Sequence, residues 1–457
     1  MLDAAQVAEL RAAVAGSVSR PDDHNYDVDR ATYNLLTPQQ PAATVGVLGV
    51  DDVRETVRFA RRHGLPVAVQ ATGHGVGAPA DRGVLINTSR MTGVVVDPEG
   101  ATARVEAGVR WQSVIDEAAK YGLAPINGSS PTVGVVGYTL GGGHSPFLGR
   151  SHGYAADHVT AIDIVTPDGE FHTLTSTSQP DLFWAVRGGK ANFGVVTAIE
   201  FRLFPQARLY GGGLFFPGAQ AAAVLPAWRS WIEDTPDELT SSVALVRLPP
   251  LEELPEPLRG QLVVHVRIAY LGTEEAGQQL VAPLRRAGTL LLDTVAELPY
   301  AAVASIHNDP VTPLPICERS ALLRELTPAQ LDRIVGLAGE TATVPVTMVE
   351  IRHLAGALRR PPQEPNAVAN RDAAFLLFVA SVAAPDEVPR HAEYHGSIIA
   401  VVADTDTHRT FANFLTPGNG GPEHVATAYP PEVYERLVDL KRQWDPENLF
   451  RFTHTVR

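Results

Sequence analysis

The chain has 457 residues, of which 45% are hydrophobic and 19% are charged, a composition typical of folded globular proteins. Its formal net charge of −14 argues against nucleic-acid binding, because such proteins need an excess of basic residues to neutralise phosphates. Its single cysteine, Cys317, excludes an internal disulfide bond and a cysteine-rich zinc site. We find neither a signal-peptide pattern at the start nor ~18 uninterrupted apolar residues, so we expect a cytoplasmic protein without membrane contact.

The first 205 residues combine helix and strand patterns. Apolar residues at helical spacing predict helices over residues 51–63 and 110–121. Short β-branched runs predict strands over residues 65–71, 160–166, 170–175 and 195–203. Pro205 is the expected boundary of this part.

The middle of the chain, about 206 to 410, is richer in long strand-like runs. These runs cover residues 261–270, 344–352 and 374–383, and a helix is predicted over 327–336. A last helix starts at Pro430, with Val433, Leu437 and Leu440 on one face. Together the patterns predict an α+β fold of two domains with mixed strands and helices.

Three glycine-rich segments are candidates for ligand binding. They are Gln70–Gly77, Asn127–Ser145 and Trp184–Val196. Small residues after a strand let backbone N–H groups converge on an anion such as a pyrophosphate. On spacing alone, a plain glycine turn with an incidental histidine is the favoured explanation of the first segment. For the third segment, a structural turn and a ligand-binding turn are equally well supported. The second favours a ligand loop, because five glycines within ten residues do not suit the interior of a helix or strand.

The sequence context argues against a nicotinamide dinucleotide site and a metal site. Gly73, Gly75 and Gly77 imitate a dinucleotide fingerprint, but the residues after them do not open a periodic helix. His144, His152 and His158 lie close together without a recognisable metal-ligand spacing, so no metal is expected.

The three glycine segments, in this order, resemble the covalent flavoprotein oxidases of the vanillyl-alcohol oxidase superfamily. The tail, Tyr429–Leu437 and Asp445–Arg451, is similar to the berberine-bridge-enzyme-like branch. The resemblance implies a two-domain PCMH-type FAD-binding fold with an antiparallel-sheet substrate domain. Residues 1–205 would start the FAD-binding domain, residues 206–410 would form the substrate domain, and residues 411–457 would return to the first domain.

The resemblance also implies a set of cofactor-binding residues. His74 matches the histidine that bonds covalently to the flavin 8-methyl carbon. Ser130 stands where many relatives carry a second, cysteinyl link, so a single covalent bond to FAD is expected. Val133 matches a position that controls the access of dioxygen. The residues expected against FAD are Ala71, Thr72, Gly73, His74, Gly75, Ser129, Ser130, Val133, Gly134, Gly137, Tyr138, Leu140, Gly141, Gly142, Gly143, Val195, Asn413 and Asn448.

Flavin-dependent oxidation also needs a group that takes a proton from the substrate. The resemblance implies Tyr429 near the tail signature, or the strand over residues 346–353, where alternation puts Met348, Glu350 and Arg352 on one face. Burial would raise the pKa of Glu350 and the neighbouring Arg352 would lower it. The sequence leaves open which effect is larger.

The function expected from the resemblance is an FAD-dependent oxidase of a small secondary metabolite, sugar or alkaloid-like molecule. It would oxidise a CH–OH or CH–NH centre and pass the electrons to dioxygen, giving hydrogen peroxide. Two alternatives remain open. A flavoprotein that sequesters a drug-like compound would carry the same loops, whereas a nicotinamide-dependent dehydrogenase would be colourless and would bind NAD. The oligomeric state is left open.

Overall fold

The computed structural model describes residues 2–416 and 421–457. The helices before residue 206 are α1 (Ala4–Ala13), α2 (Tyr26–Arg30), α3 (Val50–Arg62), α4 (Trp111–Ala119), α5 (Val135–Leu140), α6 (Gly149–His152) and α7 (Pro180–Gly189). Those after it are α8 (Ala221–Trp231), α9 (Glu274–Arg285), α10 (Pro328–Ala338), α11 (Val388–Ala400), α12 (Pro422–Ala426) and α13 (Pro431–Trp444). None of the helices in these ranges is long and apolar enough to cross a membrane.

The strands fall into the same two groups. The first group is β1 (Ser17–Ser19), β2 (Ala43–Gly46), β3 (Val67–Gln70), β4 (Val84–Asn87), β5 (Val94–Asp97), β6 (Thr102–Glu106), β7 (Leu123–Ala124), β8 (Val159–Val165), β9 (Phe171–Leu174), β10 (Val195–Arg202) and β11 (Phe204–Pro205). The second is β12 (Arg208–Pro217), β13 (Leu239–Arg247), β14 (Leu262–Tyr270), β15 (Leu292–Asp293), β16 (Ala296–Pro299), β17 (Ile316–Leu323), β18 (Met348–His353) and β19 (Phe375–Val382).

Helix α3 illustrates why the periodic segments fold as predicted. Val53, Val57 and Ala60 are completely buried, so the apolar stripe seen in the sequence is the face that meets the core. Asp52 is also buried, and its carboxylate accepts hydrogen bonds from the N–H groups of Ala15, Gly16 and Leu48. The predicted helix over residues 51–63 is therefore confirmed, to within one residue at each end.

The first group of strands forms two main sheets that set up the glycine segments. One has the order β1-β2-β4-β3, and the other, entirely antiparallel, has the order β5-β6-β10-β8-β9. Strand β3 leads directly into the first glycine segment, and the chain then reaches β4 without forming a helix. The absence of that helix, already indicated by the sequence, distinguishes this segment from a dinucleotide fingerprint.

The second group forms one antiparallel sheet, with the order β15-β12-β14-β13-β18-β19-β17 and with β16 paired to β12. Its two faces differ because successive side chains of a strand point to opposite sides. One face carries apolar residues such as Val243, Ile351 and Leu377, which pack in a core with residues of α8 to α11. The other face carries Arg267, Glu350 and Arg352, and it covers the first group of elements.

The C-terminal segment returns to the first part of the chain. Leu437 on α13 lies in the same apolar core as Trp111 and Phe183. The buried ammonium of Lys441 donates to the carboxylate of Asp445 at 2.6 Å and to the carbonyl of Asn192 at 2.7 Å. These contacts hold the end of the chain against the third glycine segment.

The second glycine segment contains more regular structure than we predicted. Residues 135–140, expected to be part of a loop, form the helix α5. Its glycines lie mainly at the ends, Gly134 before it and Gly141 after it, while Val135 and Leu140 are buried. Burial of these apolar anchors outweighs the low helix propensity of the single interior glycine, Gly137.

Candidate active site

A cavity of about 370 Å³ lies between the glycine segments and the polar face of the large sheet. Of the residues that we predicted to contact FAD, fourteen in the part of the chain before residue 195 line this cavity. They are Ala71, Thr72, Gly73, His74, Gly75, Ser129, Ser130, Val133, Gly134, Gly137, Tyr138, Leu140, Gly141 and Gly143. Asn413, from the C-terminal segment, and Arg352, from β18, complete the predicted part of the wall. The tertiary structure thus brings three distant segments to one site.

His74 stands in the wall of this cavity in a fixed orientation. Its ring stacks on Tyr33, with the ring centroids 4.0 Å apart. Nδ1 lies 3.0 Å from the hydroxyl of Thr72, and Nε2 lies 3.4 Å from the hydroxyl of Thr132. Burial, with a smaller contribution from Arg110, lowers the pKa of His74 to about 4. The imidazole is therefore neutral at physiological pH and carries a free lone pair, as a nucleophile requires.

Several glycines leave the backbone open to a ligand. A Cβ atom added at Gly75 or Gly137 would meet no atom within 4 Å, so both face open space. A Cβ at Gly141 would instead collide with the amide of Asn413, which donates to the carbonyl of Tyr138 at 2.8 Å. Gly141 is therefore required for the close approach of the C-terminal segment to α5.

Polar groups without partners also point to a ligand. The hydroxyl of Tyr138 and both ring nitrogens of His144 are buried, and none has a hydrogen-bond partner among the residues that the structure describes. Both residues line the cavity. Burial, with Arg352 adding to it, lowers the pKa of His144 to about 3 and keeps its ring neutral. Buried polar atoms rarely remain unsatisfied, so a ligand rich in polar groups fits here.

Lys190 adds a partly buried cation to the same wall. Its ammonium donates to the carbonyl of Ala412 at 3.2 Å, and no carboxylate of the described chain forms an ion pair with it. Burial lowers the pKa of Lys190 to about 8. Its backbone has a φ of 57° and a ψ of −144°, a conformation that non-glycine residues rarely adopt. A cation of this kind is suited to the phosphate groups of a nucleotide.

Three residues that we predicted against FAD do not line the cavity. The Cβ position of Gly142 faces Val368 on the other side of the loop. Val195 is completely buried in the apolar core beneath β3, because alternation along β10 turns it away while Val196 lines the cavity. Asn448 sits in a turn, where its N–H donates to the carbonyl of Asp445. These three residues lie outside the cavity wall, so their contact with FAD stays a prediction.

Tyr429 is not placed to take a proton from a substrate. Its hydroxyl is buried and donates to the carbonyl of Gly188 at 2.9 Å, and burial raises its pKa above the usual value. The residue packs in the apolar core next to α13. Tyr429 does not line the cavity, and its hydroxyl satisfies a carbonyl of the third glycine segment, so a catalytic role for it stays a prediction without support from this geometry.

Glu350 and Arg352 do share one face, as strand alternation predicted, but they pair with each other. The carboxylate of Glu350 is completely buried. It accepts from Arg267 at 2.6 Å, from Ser242 at 2.7 Å and from Arg352 at 2.8 Å. Burial alone would raise its pKa, but the two arginines hold it well below the usual range.

The pairing separates the roles of the two residues. Glu350 lies outside the cavity wall, and its lowered pKa makes the ionised carboxylate a weak base, so this geometry does not support a catalytic role for it. Arg352 does line the cavity, with its guanidinium 5.8 Å from the centre of the Phe414 ring. Glu350 thus positions Arg352.

The sequence reasoning missed part of the wall. The residues concerned are His144, Tyr154, Lys190, Val196, Phe411 and Phe414. Lys190 and Val196 lie inside the third glycine segment, so their position was a usable signal. The aromatic residues have no local signal, because only the packing of the C-terminal segment brings Phe411 and Phe414 to the cavity.

Comparisons with known proteins agree with this site. Residues 41–175 match the FAD binding domain family, and residues 409–457 match the berberine and berberine-like family. The (R)-6-hydroxynicotine oxidase of Paenarthrobacter nicotinovorans is 30% identical over 97% of each chain. An FAD-linked oxidoreductase of Dictyostelium discoideum is 27% identical over 99% of this chain and 96% of that protein.

The solved structures extend the agreement to the fold. The crystal structure of 6-hydroxy-D-nicotine oxidase from Arthrobacter nicotinovorans has a TM-score of 0.82 and 26% identity, and the match covers 97% of this chain and 98% of that one. A chitooligosaccharide oxidase, 20% identical, shares the fold with a TM-score of 0.85 over 99% of each chain. The chain is an FAD-dependent oxidoreductase that belongs to the berberine-bridge-enzyme-like branch of the vanillyl-alcohol oxidase superfamily.

Proposed function

We propose that this protein is an oxidase that holds FAD through a single covalent bond to His74. It oxidises a CH–OH or CH–NH centre of a small organic molecule, and dioxygen is reduced to hydrogen peroxide. The observation that carries the proposal is the neutral, partly buried imidazole of His74 in the wall of a cavity lined by three glycine segments.

The surroundings of His74 suit covalent attachment. Stacking on Tyr33 fixes the plane of the ring, and Thr72 and Thr132 each place a hydroxyl beside one ring nitrogen. A hydroxyl that accepts the N–H of one nitrogen leaves the lone pair of the other free for attack. With FAD bound, His74 would exchange its imidazole proton and one hydrogen of the flavin 8-methyl group for the new bond, and dioxygen would take up the two electrons and two protons as hydrogen peroxide.

The other residues of the wall have separate tasks. The open backbone at Gly75 and Gly137 and the ammonium of Lys190 would hold the pyrophosphate of FAD. The Ser130 hydroxyl lies 3.0 Å from the Thr132 hydroxyl, so the position of a second link holds a hydrogen-bonding group instead. Val133 lines the cavity with a small side chain that leaves room for dioxygen.

The substrate class is inferred from chemistry and from one relative. Bound FAD supplies the two-electron acceptor, so the donor carbon needs an adjacent O–H or N–H from which a proton is removed. The relative that is 30% identical is named for the oxidation of (R)-6-hydroxynicotine. Racemic 6-hydroxynicotine and a set of simple primary and secondary alcohols are therefore the first molecules to test.

The test of covalent attachment is the flavin fluorescence of the acid-precipitated, gel-separated protein. The wild type is expected to give a fluorescent band, and His74→Ala is expected to give none while still binding FAD before denaturation. His63→Ala, which removes a histidine that is hydrogen-bonded to Glu9 and does not line the cavity, is the matched control. A fluorescent band from His74→Ala would place the bond elsewhere. The release of hydrogen peroxide with racemic 6-hydroxynicotine and with the simple alcohols tests the oxidase activity.

A further inference from the structure

The large sheet reaches the cavity wall through Arg352 on β18. Its Nε donates to the Oε2 atom of Glu350 at 2.8 Å, and its Nη2 lies 2.8 Å from the same oxygen. Glu350 therefore occupies the edge of the guanidinium that Nε and Nη2 form. Within residues 2–416 and 421–457, Nη1 has neither a hydrogen bond nor an ion pair. The other edge, formed by Nη1 and the second hydrogen of Nη2, is thus available to a ligand in the cavity.

The buried polar face has one positive charge more than it has negative charges. The guanidinium groups of Arg267 and Arg352 share the single carboxylate of Glu350, at 2.6 and 2.8 Å. Both arginine side chains are mostly buried. Asp309 and Glu318 act on Arg352 electrostatically, but neither forms an ion pair with it in the described part of the chain. Because a buried charge without a close partner is costly, one negative charge from a ligand would stabilise this face.

Two unpartnered polar side chains lie beside the free edge of Arg352. Tyr138 and His144 line the same cavity, and Arg352 acts electrostatically on both of them. His144 and Arg352 also border a second, smaller cavity, so the two side chains are neighbours. The tyrosine keeps its O–H and the neutral imidazole keeps one N–H, and neither has a partner among the described residues. Three donors therefore meet in one part of the wall, an arrangement suited to an anionic oxygen group.

A basic pocket of about 500 Å³ lies next to the cavity, on the other side of Phe414. The ring of Phe414 belongs to both walls, and its centre lies 5.8 Å from the guanidinium carbon of Arg352. Arg319 and Arg409 border the outer pocket, and neither forms an ion pair with the described residues. Asp406 is the one carboxylate among the described residues of its wall. An anionic molecule that approaches from this side is attracted first to the outer pocket and then to Arg352.

We propose that Arg352 binds a carboxylate of the substrate, so that the molecule oxidised is an organic acid. This inference rests on the proposed oxidase function and names the substrate class for it. A carboxylate matches the site in shape, because its two oxygens can accept from the two N–H groups of one guanidinium edge. It also matches in charge, since its single negative charge equals the excess on the sheet. Glu350 holds the guanidinium in place, and Tyr138 and His144 are further donors to the same carboxylate.

The test compares benzoate with benzamide, which share a ring but differ in the charge of one group. Each is titrated into the flavin-loaded protein, and the change in flavin absorption gives its Kd. The wild type should bind benzoate at least about tenfold more tightly than benzamide. Arg352→Gln should weaken benzoate binding about tenfold or more and change benzamide binding less than about threefold.

Arg208→Gln is the matched control. Arg208 lies on β12 of the same sheet and pairs with Glu297 at 2.7 Å, but it does not line the cavity. This variant should bind both probes as the wild type does.

Two results would overturn the inference. One is a wild type with equal Kd values for benzoate and benzamide, a result that does not depend on the folding of any variant. The other is an Arg352→Gln variant that weakens both probes by the same factor, because Arg352 would then support the cavity or the flavin without recognising a carboxylate. Neither probe offers a CH–OH or CH–NH centre, so binding is measured apart from turnover. A protein that binds benzoate through Arg352 but oxidises none of the donors would support the inference and count against the proposed function.

Discussion

The ion pairs of Glu350 allow a quantitative test of the buried polar face. Replacing Glu350 with Gln keeps the shape of the side chain but removes the charge between Arg267 and Arg352. These arginine side chains are only 5% and 13% exposed, so solvent cannot replace the lost carboxylate at either of them. Breaking a buried ion pair by removing one partner costs about 3–5 kcal/mol. We expect a loss of stability of that size.

The expected shift can be measured by differential scanning calorimetry. The unfolding entropy of globular proteins is ~2 cal/mol/K per residue, so a chain of this length has about 1 kcal/mol/K in total and the Tm should fall by about 3–5 °C. Glu297→Gln is the matched control, because Glu297 pairs with Arg208 on the same sheet at a similar distance, 2.7 Å, but with both side chains about half exposed. Exposed pairs contribute at most about 1 kcal/mol.

A second variant and a pH series complete the test. Adding Arg267→Met to Glu350→Gln removes one of the two buried arginine charges that have lost their carboxylate partner. The double variant should therefore recover about half of the lost stability. Because the pKa of Glu350 is lowered on folding, its stabilising effect is present above the unfolded value near 4.5 and is lost as the pH falls through the folded value. The difference between wild type and variant should therefore be constant at neutral pH and shrink only in acid. A Tm loss no greater than that of Glu297→Gln would refute the reasoning.

Three further predictions concern the cavity. The rate at which FAD attaches to the apoprotein, measured by gel fluorescence, should be the same from about pH 6 to 8. It should fall only as the pH approaches about 4, where the His74 imidazole becomes protonated. A fall centred near the ordinary pKa of histidine would contradict the lowered pKa of His74. Val133→Leu should slow reoxidation of reduced flavin by dioxygen at least about tenfold, or ~1.4 kcal/mol in barrier, in stopped-flow absorbance, with the rate of flavin reduction unchanged. In a His74→Ala background, Lys190→Met should raise the Kd for FAD about tenfold or more, because the substitution removes an ammonium group from the cavity wall. Fluorescence titration measures this Kd, and an unchanged value would show that Lys190 does not contact the phosphates.

The local patterns of the sequence predicted part of the secondary structure. Helix α3 and strand β19 fall within one or two residues of their predicted ranges, because a 3.6-residue or two-residue apolar period is visible without knowledge of the partner. Helix α5 was missed for a related reason. Glycine content argued against a helix, and only the core around Val135 and Leu140 supplies the burial that offsets it.

The ligand-binding segments were also visible locally, because a cluster of glycines after a strand is a short-range feature. The roles of Tyr429 and Glu350 were not, since each depends on a partner far away in the chain. The carbonyl of Gly188 satisfies the hydroxyl of Tyr429, and Arg267 neutralises Glu350 across two strands. A titratable side chain in a sequence has no defined pKa or access until its neighbours are known.

By itself, then, the sequence determined the class of fold and the glycine segments that line the cavity, including the position of His74 in the first of them, because these features depend on contiguous residues. The tertiary structure alone decided which charged residues of the large sheet are free to act. Strand register pairs Glu350 with two arginines, and only one of these three side chains, Arg352, lines the cavity. The physical reason is that the protonation and reach of a carboxyl depend on burial and nearby charge, which are properties of the packed molecule.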